Sequence, residues 1–374
     1  MKEPINGEQQ HSHFAPGTNP VEQQPEVMAP ANLVSALGVE AATESVLAET
    51  APVVATKHKT PFQESLARFR RDKKAMFSLY VIFFFILLAA VGPVIYQHIG
   101  GPYNSTLNGT IGPGVYHTYA HTEVDRLAEL PSSMYWLGTD GLGRDMLARV
   151  MQGVLISMSV AVLVEVVDIV LGILMGVLAG YYGGWIDFAL ARFTDIMFAF
   201  PGTLFLILIS GIFGPWADRN LSQIPVLGTN GNARLLLVSG ALALTVWPLM
   251  ARYVRGQTLQ LKEQQYVEAA RTSGSSSTQI ILRHIVPNLF SIVIIASTLN
   301  ISNTIIAEAG ISFLGLGVQA PGSSIGLMIS DGAEYVRTNA WVPLVPCIVL
   351  AMIVLAFSFL GDGVRDAFDP RAKD

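Results

Sequence analysis

Apolar residues in this chain gather into long runs and not into short alternating stretches. A helix of about 20 mainly apolar residues crosses a hydrocarbon core. Six runs meet that length or come near it: 75–96, 154–179, 196–213, 235–250, 288–307 and 341–360. The first carries no charge, the second is interrupted by Glu165 and Asp168, and the fourth is short, with Arg252 just beyond it. Lipid offers backbone groups no partner, so runs of this kind predict helices. The alternation of a membrane β-barrel is absent. The expected fold class is an all-α polytopic membrane protein with six transmembrane helices.

Basic residues set the direction of such a bundle. Seventeen of the 23 Lys and Arg fall on one side, chiefly in 57–74, 252–283 and after the last run, with Arg192 and Lys2. The other side holds Arg126, Arg144, Arg149, Arg219, Arg234 and Arg337. This split predicts both termini in the cytoplasm, a cytoplasmic loop at 252–287 and an external segment at 97–149. Residues 1–60 are expected to be a disordered cytoplasmic tail. The first 56 contain seven Glu, six Pro and one basic residue, too little apolar surface to offset ordering entropy. No basic segment leads into an early apolar core there, so a signal peptide is not expected. Over 61–75 the residues Phe62, Leu66 and Phe69 recur at helical spacing among Arg68, Arg70, Arg71, Lys73 and Lys74. That pattern predicts an amphipathic interfacial helix on anionic lipid, leading into a first transmembrane helix at 76–96.

Composition agrees. Of 374 residues, 51% are hydrophobic and 14% charged, against roughly 25% charge in soluble proteins, and the mean hydropathy is +0.46. A net charge of −5 gives no basic surface for nucleic acid. A single cysteine, Cys347, excludes an intrachain disulfide and a cysteine-based zinc site.

The most informative stretch is EQQYVEAARTSGSSSTQIILRHIVP at 263–287. Residues 266–271 favour helix, with Glu268 and Arg271 one turn apart. Gly274 sits where a left-handed cap would end that helix. Residues 275–277 are serines able to cap a second one, and Pro287 introduces the fifth run. About 35 residues between spans greatly exceeds the 2–8 that packed helices need. The pattern predicts a helix–turn–helix knuckle, with Ala269 and Ala270 presenting a small surface for close approach.

Glu268-Ala269-Ala270, Gly274 and Pro287 at these spacings resemble the EAA signature of ABC importer permeases. His284 replaces an isoleucine usual in that signature, and Val286 a leucine. LGTD at 137–140 with Gly143-Arg144-Asp145 and Arg149, GYYGGWID at 180–187, Ala199-Phe200-Pro201, SFLGLG at 312–317 and GDGVRDAFDP at 361–370 resemble the dipeptide/oligopeptide/nickel branch, C-type. Ala148 stands for a usual serine and Ile325 for a usual tryptophan. The likeness runs from about residue 61 to 374. It implies a type I ABC importer permease (MetI-like) fold, with an ABC transmembrane type-1 domain at 150–362 and a cytoplasmic C-terminus at 363–374. It further implies a prokaryotic inner (plasma) membrane, a homologous second permease as partner, two ATPase subunits docking on the loop at 252–287, and an external solute-binding protein. Di- or oligopeptides are the implied cargo, with nickel or another small solute as the alternative. None of the seven lysines follows a glycine. A Gly-Lys-Ser/Thr phosphate loop is therefore absent; no cofactor is expected here, ATP being bound by partner subunits.

Charges inside spans are costly and face protein or water. Glu165 and Asp168 lie one turn apart, and Asp168 shares a face with Gly172, Gly176 and Gly180, a close-packing pattern. Glu165, Asp168 and Glu308 are thus candidates either for the transport pathway or for a satisfied polar interior. Arg192 and Asp195 are expected to pair. His117 and His121 are expected on the surface of a mobile external loop with no ligand role. No metal site is expected. An ion-coupled secondary carrier is the rival machinery, and an intramembrane enzyme is disfavoured by the lack of any nucleophile or metal motif.

Overall fold

The computed structural model describes residues 61–222 and 233–368, with side chains from residue 63 onward. The expected disordered tail at 1–60, the side chain of Phe62 and the end of the C-terminal segment lie outside these residues. Helix α1 (Pro61–Arg71) is followed at once by α2 (Lys73–Tyr96). Asp72 separates them and caps α2, accepting from the N–H groups of Lys74 at 2.8 Å and Ala75 at 3.4 Å. Most of α2 is apolar and exposed, including Phe77, Phe83 and Phe84, as suits a helix bathed in lipid on much of its surface.

The segment after α2 is ordered and not merely a loop. It holds an antiparallel hairpin, β1 (Tyr103–Ser105) with β2 (Gly109–Ile111), registered Tyr103 opposite Ile111. A single turn, α3 (Pro113–Tyr116), follows. Helix α4 (Met146–Tyr182) is the longest helix among the described residues; its 37 residues extend about 55 Å. Asp145 caps it, accepting from the N–H groups of Leu147 and Ala148.

The third apolar run departs from expectation. In place of one helix over 196–213, the structure has α5 (Gly184–Ala199) and α6 (Gly202–Asn220), bent by 76°. Phe200 is extended at ψ 129° ahead of Pro201. Proline excludes the helical conformation from the residue before it and lacks the N–H that would continue the ladder. Hydropathy does not register such a bend. Among the described residues five other helices are long and apolar enough to cross alone, and counting this bent pair as one span gives up to six.

Helix α7 (Ala233–Leu261) runs well beyond the apolar run at 235–250. Arg252 is accommodated by Asp195 at 2.8 Å and by the Phe198 ring, 4.1 Å from its guanidinium carbon. Asp195 therefore has Arg252 as its close partner, and Arg192 stands 3.7 Å away with both side chains well exposed. Three short pieces, α8 (Gln265–Thr272), α9 (Ser277–Ile280) and a π-turn at Ile281–Ile285, lead into α10 (Val286–Phe313). Helix α11 (Ile325–Gly332) and α12 (Trp341–Phe368) complete the described chain.

The glycine face is realised. A side-chain carbon at Gly172 would meet Met250, one at Gly176 the Ala251 carbonyl and Val254, and one at Gly180 Thr258, so α4 lies directly against α7. One apolar cluster joins α2, α4, α10, α11 and α12 through Phe85, Val154, Ile305, Ile325 and Ile353. A second joins α4, α6 and α7 through Val160, Leu206 and Leu242. A third, built on Val254, Val267, Ile285 and Leu289, anchors the pieces between α7 and α10.

Candidate functional site

The knuckle is built from local rules. Helix α8 ends at Gly274, whose φ of +84° is open only to glycine at little cost. The Gly274 N–H donates to the Arg271 carbonyl at 3.1 Å and the Ser275 N–H to the Ala270 carbonyl at 3.0 Å, the two bonds of a Schellman cap. Ser276 then opens α9 with a reciprocal box: its Oγ accepts from the Gln279 N–H, and Gln279 Oε1 accepts from the Ser276 N–H. Pro287 stands in the first turn of α10.

Val267, Ile280 and Ile285 are fully buried on the inner face of this unit. Tyr266, Glu268, Ala269, Arg271 and Leu282 are exposed on the outer face. Of the two alanines expected to form a close-approach surface, Ala269 is exposed, while Ala270 packs against the buried cluster. The knuckle adjoins the C-terminal end of α4, where Lys262 Nζ donates to the Gly180 carbonyl at 3.0 Å.

The intramembrane carboxylates lie within the chain's own helix packing. Glu165 and Asp168 of α4 are 6% and 2% exposed. Both accept from one donor, Asn300 Nδ2 of α10, at 3.1 and 3.2 Å. Glu308, also on α10, is 1% exposed and accepts from Ser157 Oγ at 2.6 Å and Ser312 Oγ at 2.7 Å. Asn300 and Ser157 carried no pattern in the sequence beyond being polar within a span.

The opposite end of α4 holds a second charged assembly. Asp140 binds Arg144 at 2.7 Å and also Arg149; Arg144 and Arg149 both reach Asp331 of α11, at 2.8 and 2.9 Å. Asp140 and both arginines are buried. His117 is buried too, its Nδ1 2.7 Å from Asp145 Oδ2, and His121 Nε2 stands 3.3 Å from Glu123. The expected exposed histidine pair is thus corrected: each ring is engaged by its own carboxylate within a folded segment. Burial, and then the charge of Asp145, push the Tyr135 and Tyr116 phenols above their ordinary range. These rings stay neutral and wall off the His117–Asp145 contact.

Against known proteins, residues 172–374 match the family model described as binding-protein-dependent transport system inner membrane component. The chain belongs to that family. Residues 60–108 of this permease also match the model of the N-terminal TM domain of oligopeptide transport permease C. It is 37% identical to the oligopeptide transport system permease protein OppC of Salmonella typhimurium, over 83% of this chain and 92% of that one. It is 32% identical to the dipeptide transport system permease protein DppC of Alkalihalophilus pseudofirmus, over 84% and 91%. The glutathione transport system permease protein GsiD of Escherichia coli O6:K15:H31 is 35% identical over 84% and 92%. Among solved structures, an inward-facing MetNI methionine ABC transporter chain aligns with 60% of this chain and 97% of its own, at 20% identity and a TM-score of 0.46.

The permease is therefore a membrane subunit of an importer and not an enzyme. The charged assembly at Asp140, Arg144, Arg149 and Asp331 escaped functional reading in the sequence. Three of its members stood in a recognised motif, but Asp331, 182 residues beyond Arg149, had no local signal.

Proposed function

We propose that this permease forms half of a path for di- or oligopeptides, beside a homologous permease, and is driven by two ATPase subunits that dock on the loop at 252–287. The likeness to dipeptide, oligopeptide and glutathione permeases, over 83–84% of this chain, supports this cargo. In this reading both termini and the knuckle face the cytosol, an external binding protein delivers the peptide, and the basic helix α1 rests on the anionic inner leaflet.

The observation that carries the docking role is the knuckle's division into a buried inner face and an exposed outer face presenting Glu268 and Ala269. Gly274 turns the chain between the two short helices, Pro287 opens α10, and Ala270 fastens α8 to the bundle. Closure of the ATPases then biases the two conformations of the permease through a unit packed directly on α4, α7 and α10.

Reconstitution in proteoliposomes with the binding protein and ATPases tests this. Glu268→Lys and Gly274→Pro are expected to leave ATP hydrolysis running while peptide uptake collapses. Wild-type uptake in both variants removes the docking role. Uptake of nickel with no uptake of peptides removes the cargo.

A further inference from the structure

Glu165 and Asp168 sit near the middle of α4. They are about 21 to 33 Å from either end of α4, and Asn300 is about 20 Å from either end of α10. The Asn300 amide satisfies one oxygen of each carboxyl. Glu165 Oε1 and Asp168 Oδ1 are left buried without a partner. Ser297 Oγ, one turn before Asn300 and 6% exposed, lies within reach of the Glu165 carboxyl as a further neutral donor. Two carboxyl oxygens are thus left over at the seam of α4 and α10.

No cation answers them among the described residues. On α7, Arg252 and Arg255 are held by Asp195 and Asp187, and Arg234 by Asp218. Arg149, in the first turn of α4 itself, is held by Asp140 and Asp331. Lys73 and Lys74 stand at the start of α2 and Arg365 in the last turn of α12, far along those helices from their middle. Asp331 of α11 is taken up by Arg144 and Arg149, and Glu308 is engaged by Ser157 and Ser312. Two neighbouring buried carboxylates, with only neutral donors beside them, are not sustainable as two full negative charges.

We propose that Glu165 and Asp168 form a membrane-buried proton-binding site that holds at least one proton across the pair. The proton comes from water and bonds to one orphaned carboxyl oxygen; the new O–H then donates to another oxygen of the cluster. This accounts for the unpaired oxygens with no further ligand. A metal ion fits less well: only two carboxyl oxygens are without a partner, and the Asn300 NH2 group donates to both carboxyls. The proposal is independent of what cargo the permease carries.

The test uses the full chain purified with its partner subunits in lipid nanodiscs. Infrared spectra at neutral pH are expected to show a protonated-carboxyl band that diminishes in both Glu165→Gln and Asp168→Asn, while Glu308→Gln leaves that component in place. Folding linkage gives a second readout. A proton held by the folded state and released by the unfolded chain stabilises less as pH rises. The wild-type unfolding temperature should therefore fall, as pH rises above the unfolded carboxyl value of about 4, more steeply than that of the Glu165→Gln/Asp168→Asn double variant. If one single variant or the double variant does not fold, the loss of the band in the remaining single variant still decides. Absence of the band, or equal pH slopes in wild type and double variant, overturns the proposal. Stabilisation of wild type by sodium over potassium at constant pH and ionic strength, lost in the double variant, also overturns it by making the occupant a metal ion.

Discussion

Glu308 illustrates how a single buried carboxyl organises its neighbours. It draws the hydroxyls of Ser157 from α4 and Ser312 from α10 into one cluster, with both serines nearly inaccessible. Glu308→Ala strands both hydroxyls and is expected to lower stability by about 1–3 kcal/mol, the cost of buried unsatisfied polar groups. Glu308→Gln, which keeps an acceptor, should cost less. Thermal unfolding of the three forms in detergent orders them; equal midpoints for Ala and Gln contradict the reading. Gly274 makes a different single-residue case. At φ +84° with open space around its Cα, Gly274→Ala meets only backbone strain, roughly 1–2 kcal/mol. Its effect should appear as weakened coupling of uptake to ATP hydrolysis more than as loss of folded protein. At this scale the sequence was partly transparent. Glu165, Asp168 and Glu308 stood out because charge in an apolar run is rare. Asn300 did not, because its role comes from lying across the α4–α10 seam, 132 residues from Asp168.

Among the elements, the α4–α7 seam shows why spacing of small residues can be read so directly. Gly172, Gly176 and Gly180 recur one turn apart, and each is closed over by α7. Without a hydrophobic drive between helices in lipid, close backbone approach is what holds such a pair. Gly176→Leu places a side chain into the Ala251 carbonyl and Val254. A destabilisation of about 1–3 kcal/mol or more is expected from overpacking, with reduced yield of assembled transporter. Gly256, on the same α7 but with nothing near its Cα, is the control: Gly256→Ala should be neutral or gain up to about 1 kcal/mol of helix propensity. Similar losses for both would show that glycine content, and not the seam, matters. The knuckle was equally legible, since its Schellman cap and capping box depend on neighbours a few residues away. The α5–α6 bend was not read, although Pro201 was in plain view. The apolar run continued across it, and hydropathy alone is blind to direction.

Over the whole molecule, the chain joins two differently built ends through α4. The knuckle end rests on an apolar cluster. The far end rests on charge: Asp140, Arg144, Arg149 and Asp331 tie the segment before α4 to α11. Formally the four charges cancel, so the assembly is tolerable only while complete. Arg149 is the sensitive member. It is 1% exposed, at the first turn of α4, and bonds both acids. Arg149→Met removes one charge and leaves Asp140 buried with a single guanidinium partner, which is expected to cost about 3–5 kcal/mol, as when one partner of a buried pair is lost. Asp331 is 34% exposed on its side chain, so Asp331→Asn frees the arginines toward solvent and should cost much less. The difference has a spatial signature. Hydrogen exchange in Arg149→Met should rise in residues 138–149 and in α11 together, and remain at wild-type levels in α8 and α9 at the other end. Exchange rising equally at both ends would mean that the two ends share one cooperative unit, and that charge at the far end supports the knuckle as well.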